Sequence, residues 1–274
     1  MAPASERGAG SRLERTLVAG VINVTPDSFS DGGRYLRWQD AVARAHALVE
    51  EGADVLDVGG ESTRPGSDPV GAEEELDRVA RVVEEAAALG VPVSIDTYKP
   101  AVARECIRLG ARIVNDVTGL ADPEMVRVIR EGGAGAIVMH MRGRPKTMQE
   151  DVSYEDLLGE IRDFLAERAE RGRAAGIEPI WVDPGIGFGK TAAHNFQLLA
   201  RLGELTTLGY PVLVGPSRKS FLGSLPSRLP PEERLEGTLA AVAVAVWNGA
   251  SIVRVHDVRP ARRVVEVVDA MRCA

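Results

Sequence analysis

Four acidic or amide side chains sit at the ends of short apolar runs in this chain: Asp57 in DVLDVGG, Asp96 in PVSID, Asn115 in RIVND and Asp183 in IWVD. Carboxylates and amides so placed accept hydrogen bonds from N–H and NH2 groups, which suits the edge of a flat nitrogen heterocycle. Any one of them could instead cap the helix after its strand, but four together are poorly explained as caps. A second set is cationic: Arg64 in ESTRPGS, Lys219 in GPSRKS, and Arg254 and His256 in IVRVHDV. Alternate residues of a strand share a face, so Arg254 and His256 are expected to project together, with Arg64 reaching them from its loop. A phosphate or diphosphate is the natural ligand of that set. Surface ion pairing is a less natural fate for two residues at i and i+2 inside an apolar strand. Asn23, which ends LVAGVIN, could offer an amide oxygen to a Mg2+ ion that shares a substrate phosphate.

Other chemistries are not supported. No HExxH, GxSxG or Cys/His pair can be assembled from the strand ends. The segment DPGIGFGKT from Asp183 to Thr191 invites a phosphate-loop reading, but Pro184 occupies the place of the first Walker glycine and GIGFG does not satisfy GxGxxG. Its glycines are expected to let the backbone pass close to a flat ligand that Phe188 would contact. His46 and His194 fall in predicted helices and read as surface or packing residues, whereas His140 ends a predicted strand.

Residues with these roles need a scaffold that brings strand ends together. Eight apolar runs recur: residues 17–23, 54–60, 92–96, 112–116, 135–140, 180–183, 211–219 and 252–256. Helical periodicity fills the intervals at about 38–51, 72–88, 100–109, 122–131, 153–174, 194–201, 232–248 and 260–271. An open doubly wound sheet also uses such units, but eight evenly spaced ones favour closure, so the predicted fold class is α/β, a single (β/α)8 TIM barrel. Its active site is expected at the C-terminal ends of the strands, where the segments VTPDSFSDGG, GESTRPGS, MRGRPKTMQ and PSRKSFLG are long or rich in Gly and Pro. The 274 residues match the about 250 typical of one such barrel, predicted over 16–274, with 1–15 read as a disordered tail.

Composition narrows the partners. A net charge of −7 gives no overall attraction to nucleic acid or anionic membrane, and the longest apolar stretch, LAAVAVAVW, is too short to span a bilayer. Two cysteines without a CxxC pair fit a reducing, cytoplasmic setting. The helix over 232–248 is apolar nearly all round, which predicts either tight packing of small residues or a subunit interface; a homodimer is the expectation.

The ordered segments GVINVTPDSFSDGG, DVLDVGGESTRPGS, SIDTYKP, IVNDVTG, VMHMRGRP, DPGIGFGKTAAHN, GPSRKSFLG and RVHDV resemble those of the dihydropteroate synthase family over nearly the whole chain. The resemblance implies condensation of (7,8-dihydropterin-6-yl)methyl diphosphate with 4-aminobenzoate to 7,8-dihydropteroate and diphosphate, assisted by Mg2+. It assigns the pterin to Asp96, Asn115, Met139, Asp183 and Lys219, with Asp57 nearby. Diphosphate falls to Asn23 with Mg2+, and to Thr63, Arg64, Arg254 and His256. The aminobenzoate site is implied at Phe29, Thr63, Pro65, Phe188, Lys219 and Ser220, with Ser220 near a helix N-terminus. The same resemblance gives catalytic roles to Asp57, Asp96, Lys219, Arg254 and His256, and to Asp31 if the first long loop folds over the site. A pterin-dependent corrinoid methyltransferase would need the heterocycle acids but no diphosphate cradle, so STRPGS, SRKS and RVHDV argue against it. A catalytically silent paralogue would be expected to lack motif residues, and none is missing.

Overall fold

Eight parallel strands close into a barrel in chain order, the eighth pairing with the first. The structure is a computed structural model that describes residues 15–25, 38–63, 66–143 and 146–274. Along the chain run β1 (Leu17–Asn23), α1 (Trp38–Glu50), β2 (Val55–Gly59), α2 (Ala72–Ala87), β3 (Val93–Asp96) and α3 (Pro100–Arg108). There follow β4 (Ile113–Asp116), α4 (Pro123–Gly132), β5 (Gly135–Met139), α5 (Leu157–Ala174), β6 (Ile180–Asp183), α6 (Ala192–Ala200) and the single turn α7 (Gly203–Thr206). The last units are β7 (Val212–Val214), α8 (Leu235–Trp247), β8 (Ala250–Val255) and α9 (Val258–Arg272).

Period-two alternation along the strands builds two apolar cores. Ala19, Val55, Ile113, Ile137, Leu213 and Ile252 form a small cluster inside the barrel, with Leu17 and Trp181 packed against it. Their neighbours Val18, Leu56, Val114, Ala136, Val138 and Val253 point outward into the larger layer between strands and helices. The amphipathic helices supply the other half of that layer, as Val79, Val82, Val83 and Ala86 do from α2. Two residues above the inner cluster, the inward positions turn polar: Asn23, Asp96, Asn115 and Arg254 continue the faces of Val21, Ser94, Ile113 and Ile252. The alternation that fills the barrel therefore also aims the strand-end side chains.

Two predicted elements differ. The run 211–219 was expected to be strand as far as Lys219, yet β7 is three residues long, with an irregular register between Val212 and Leu213. Pro216 has no N–H to give a ladder, so the chain leaves the sheet at Gly215 and Lys219 lies in the following loop. Ser220 then opens a 3-10 turn, Ser220–Ser224, rather than an α-helix, which leaves the expected helix N-terminus weaker than supposed.

On the outside, Val244 and Trp247 of α8 are 42% and 58% exposed, and Val267 and Met271 of the adjacent α9 are exposed as well. Among the described residues no helix is long and apolar enough to cross a membrane.

Candidate active site at the strand ends

Asp57 lies within β2 rather than at its end, and faces the barrel interior beside Ser94 of β3. Asp96 closes β3 in register with Asn115 of β4. Arg254 comes up from β8 between the two carboxylates: its Nε donates to Asp57 Oδ2 at 2.5 Å and its Nη2 to Asp96 Oδ2 at 2.8 Å. Each acceptor keeps an oxygen in reserve. Asp57 Oδ1, Asp96 Oδ1, Asn115 Oδ1 and Ser94 Oγ are buried without a hydrogen-bond partner among the described residues. Burial pushes the Asp96 carboxyl up to about 7, more than the Arg254 guanidinium pulls it down, and the carboxylates of Asp57, Glu75 and Asp116 add to the rise. Asp183 ends β6 opposite Met139 of β5, and burial raises its carboxyl too, against the pull of Lys219.

Across the mouth, His256 follows β8. Ser217 Oγ accepts the backbone N–H of His256 at 3.1 Å and lies 3.0 Å from His256 Nδ1. The other ring nitrogen, Nε2, lies 3.5 Å from Asn23 Nδ2 at the end of β1. Asn23 and His256 meet, whereas Arg254, expected to project with His256, turns to the acids and stands between the two sets. Thr63 is half-buried in the loop after β2. Phe29, Asp31, Arg64 and Pro65 lie outside the described residues.

The loop after β6 passes between these groups and the helices. Lys219 Nζ donates to the carbonyl of Ile186 and sits 4.5 Å from the centroid of the Phe188 ring. Burial lowers the Lys219 ammonium to about 8, a fall that Asp183 partly opposes. The glycines of DPGIGFGKT divide: a Cβ at Gly187 (φ 84°) would stand 2.9 Å from Lys219 Cδ, while Gly185 and Gly189 face a neighbouring loop. Gly185 (φ 67°) has no room for a side chain because a Cβ would stand 1.9 Å from the carbonyl oxygen of His140, and at Gly189 (φ 59°) one would stand 2.7 Å from that of Arg142. The close approach is to the neighbouring loop after β5. Ser220 is exposed beside Lys219.

Several residues escaped the sequence reading. Lys190 is 3% exposed and donates to the carbonyls of Phe188 (2.9 Å) and Gly185 (3.1 Å), with His140 Nδ1 at 3.0 Å. Tyr154 Oη donates to Gly189 O at 2.8 Å, and Asn195 Oδ1 accepts Gly187 N–H at 2.7 Å. Behind the loop after β2, Lys99 bridges Glu61 and the buried Glu75, while Glu61 accepts from Tyr98 Oη at 2.8 Å and Val70 N–H at 3.2 Å. The only hint in the sequence was a charged residue directly after glycines, Lys190 after Gly189 and Glu61 after Gly60. His46 is exposed and His194 completes a capping box with Thr191 at the start of α6, both as read.

The sequence profile of the family described as pterin binding enzyme matches residues 19–256. The chain is 46% identical over 267 residues to dihydropteroate synthase of Escherichia coli strain K12, an alignment covering 96% of this chain and 94% of that one. A crystal structure of the Yersinia pestis dihydropteroate synthase with a sulfonamide drug superposes with a TM-score of 0.89 at 44% identity, covering 95% of each chain. The Burkholderia cenocepacia dihydropteroate synthase complexed with 7,8-dihydropteroate gives 0.85 at 45% identity, over 95% of this chain and 92% of that one.

Proposed function

The chain belongs to the pterin binding enzymes and, among them, to the dihydropteroate synthases, and from that premise we propose how its own residues carry out the condensation of the pterin diphosphate with 4-aminobenzoate. The observation that carries the reading is the set of buried oxygens on Asp57, Asp96 and Asn115 that are unpaired among the described residues and gathered around one guanidinium. A polar edge bearing several N–H donors satisfies them, and no phosphate or carboxylate does. Asp183 and Lys219 flank the same space, with Met139 closing one side of the ring.

The diphosphate then lies toward His256, Asn23 and Thr63, together with Arg64. Ser217 fixes the His256 ring through Nδ1 and the His256 backbone N–H, which turns Nε2 toward that side. Among the described residues no three His, Cys, Asp or Glu side chains gather to cage a metal, so Mg2+ would be held by the amide oxygen of Asn23 and by substrate phosphate, which suits its reluctance to shed water. When bound, it neutralises charge on the departing diphosphate. The C–O bond at the pterin methylene breaks, the aromatic amine forms the new C–N bond, and the amine's surplus proton leaves to solvent or phosphate. Asp96 and its neighbours stabilise positive charge on the pterin, and Arg254 and His256 stabilise the leaving group as its charge grows. Phe188, Lys219 and Ser220, with Phe29, Thr63 and Pro65, hold the aminobenzoate, and the family resemblance adds Asp31 as a further catalytic carboxylate.

Purified protein with both substrates and Mg2+ should form 7,8-dihydropteroate and diphosphate. Binding of the pterin diphosphate without product would overturn the reading in favour of a silent paralogue. A sulfonamide, the class of drug bound by the Yersinia pestis relative, should compete with aminobenzoate in that assay. The exposed apolar face of Val244, Trp247, Val267 and Met271 supports a homodimer, and the two unbridged cysteines support a cytoplasmic enzyme.

A further inference from the structure

We propose that Lys190 is a positioning residue for the second substrate: its buried ammonium clamps the loop after β6 against the loop after β5, and so fixes Phe188 and the Ile186 carbonyl that anchors Lys219. The inference rests on the functional reading above. Its starting point is a charge in an unusual place. Lys190 is 3% exposed, and among the described residues no carboxylate lies within ion-pair distance of it. A buried lysine without such a partner is costly, and burial lowers this one to about 7.

Its three protons are nevertheless used. They meet the carbonyl of Phe188 at 2.9 Å, the carbonyl of Gly185 at 3.1 Å and Nδ1 of His140 at 3.0 Å. The imidazole can accept because burial, with Lys190 beside it, holds His140 down to about 2 and hence neutral. Two of the acceptors bracket Ile186, whose carbonyl receives Lys219, and one belongs to Phe188 itself. The contact between the loops has no slack, as the 1.9 Å that a Cβ at Gly185 would leave to His140 O demonstrates. Withdrawing the ammonium therefore releases two carbonyls of one loop and one imidazole of the other, next to the ring and ammonium assigned to aminobenzoate. In the pterin sector Asp57 and Asp96 are held by Arg254 and are untouched, while Asp183, which accepts the Gly185 N–H, and Lys219 share this loop.

The test is steady-state kinetics of full-length Lys190→Met with each substrate varied. The expected result is a KM for 4-aminobenzoate raised about tenfold or more, with a clearly smaller rise, about threefold at most, in the KM for the pterin diphosphate, because Asp183 and Lys219 also border the pterin. A purely structural role would lower the active fraction, hence apparent kcat, and leave both KM values alone. That outcome, or an equal rise in both, overturns the inference. Should Lys190→Met not fold, His140→Leu removes one of the three acceptors, and the same split is expected at about threefold. Its absence is equally decisive. An unaltered protein that makes no dihydropteroate overturns the functional reading instead, so the two failures are distinguishable.

Discussion

The pterin sector and the loop after β6 lie side by side and treat their polar atoms in opposite ways. In the first, Asp57, Asp96 and Asn115 each keep a buried oxygen without a partner among the described residues. In the second, the carbonyls of Gly185, Ile186, Phe188 and Gly189 all accept from side chains, and Gly185 and Gly187 both donate to one. A buried unsatisfied group costs about 1–3 kcal/mol, so three in one place are tolerable only where a ligand completes them. The difference separates surfaces that wait for a substrate from surfaces that present one. Stability in this molecule is spent on holding the second so that the first can remain incomplete.

The comparison breaks most readily at Arg254. Arg254→Met leaves Asp57 and Asp96 facing each other without a counter-charge. kcat/KM for the pterin diphosphate should fall by about a thousandfold or more, and unfolding free energy by about 3 kcal/mol. A folded variant with near-normal kcat/KM removes Arg254 from the site. Asp96→Asn should be milder in activity, about a hundredfold, and opposite in stability. The folded chain holds the Asp96 proton up to about pH 7, against 3.8 ordinarily, so between those values it binds more protons than the unfolded chain and loses stability as pH rises. Denaturant titrations at pH 5 and pH 8 should show a smaller loss in Asp96→Asn than in the unaltered protein; an identical loss would place the carboxyl in a solvated setting. Tyr154→Phe, on the satisfied side, removes one hydrogen bond to Gly189 and should cost about 1 kcal/mol with no change in the KM for pterin diphosphate. A larger effect on that KM than on stability would erase the distinction between the two regions.

Most of the fold was legible because strand and helix periods alternate cleanly. LVAGVIN and IWVD are strands over the residues expected, and the pattern that made Asp96 and Asn115 strand-end residues also set them in register. Asp57 and Lys219 were recognised by type but misplaced along their elements. Apolar runs show where a strand passes but not where it stops, and Pro216 was the overlooked signal for β7. Lys190 was invisible as a clamp because its partner His140 is 50 residues away, and no local pattern encodes that pairing. Arg254 was grouped with the anion-binding residues for its charge. Its position between two carboxylates 158 and 197 residues distant depends on barrel closure, which sequence periodicity predicts without assigning partners.

The apolar plug of Ala19, Val55, Ile113, Ile137, Leu213 and Ile252 makes the barrel a vessel with one opening. A ligand resting against Asp57 and Asp96 lies directly above that plug, so it can reach them only from the strand-end side.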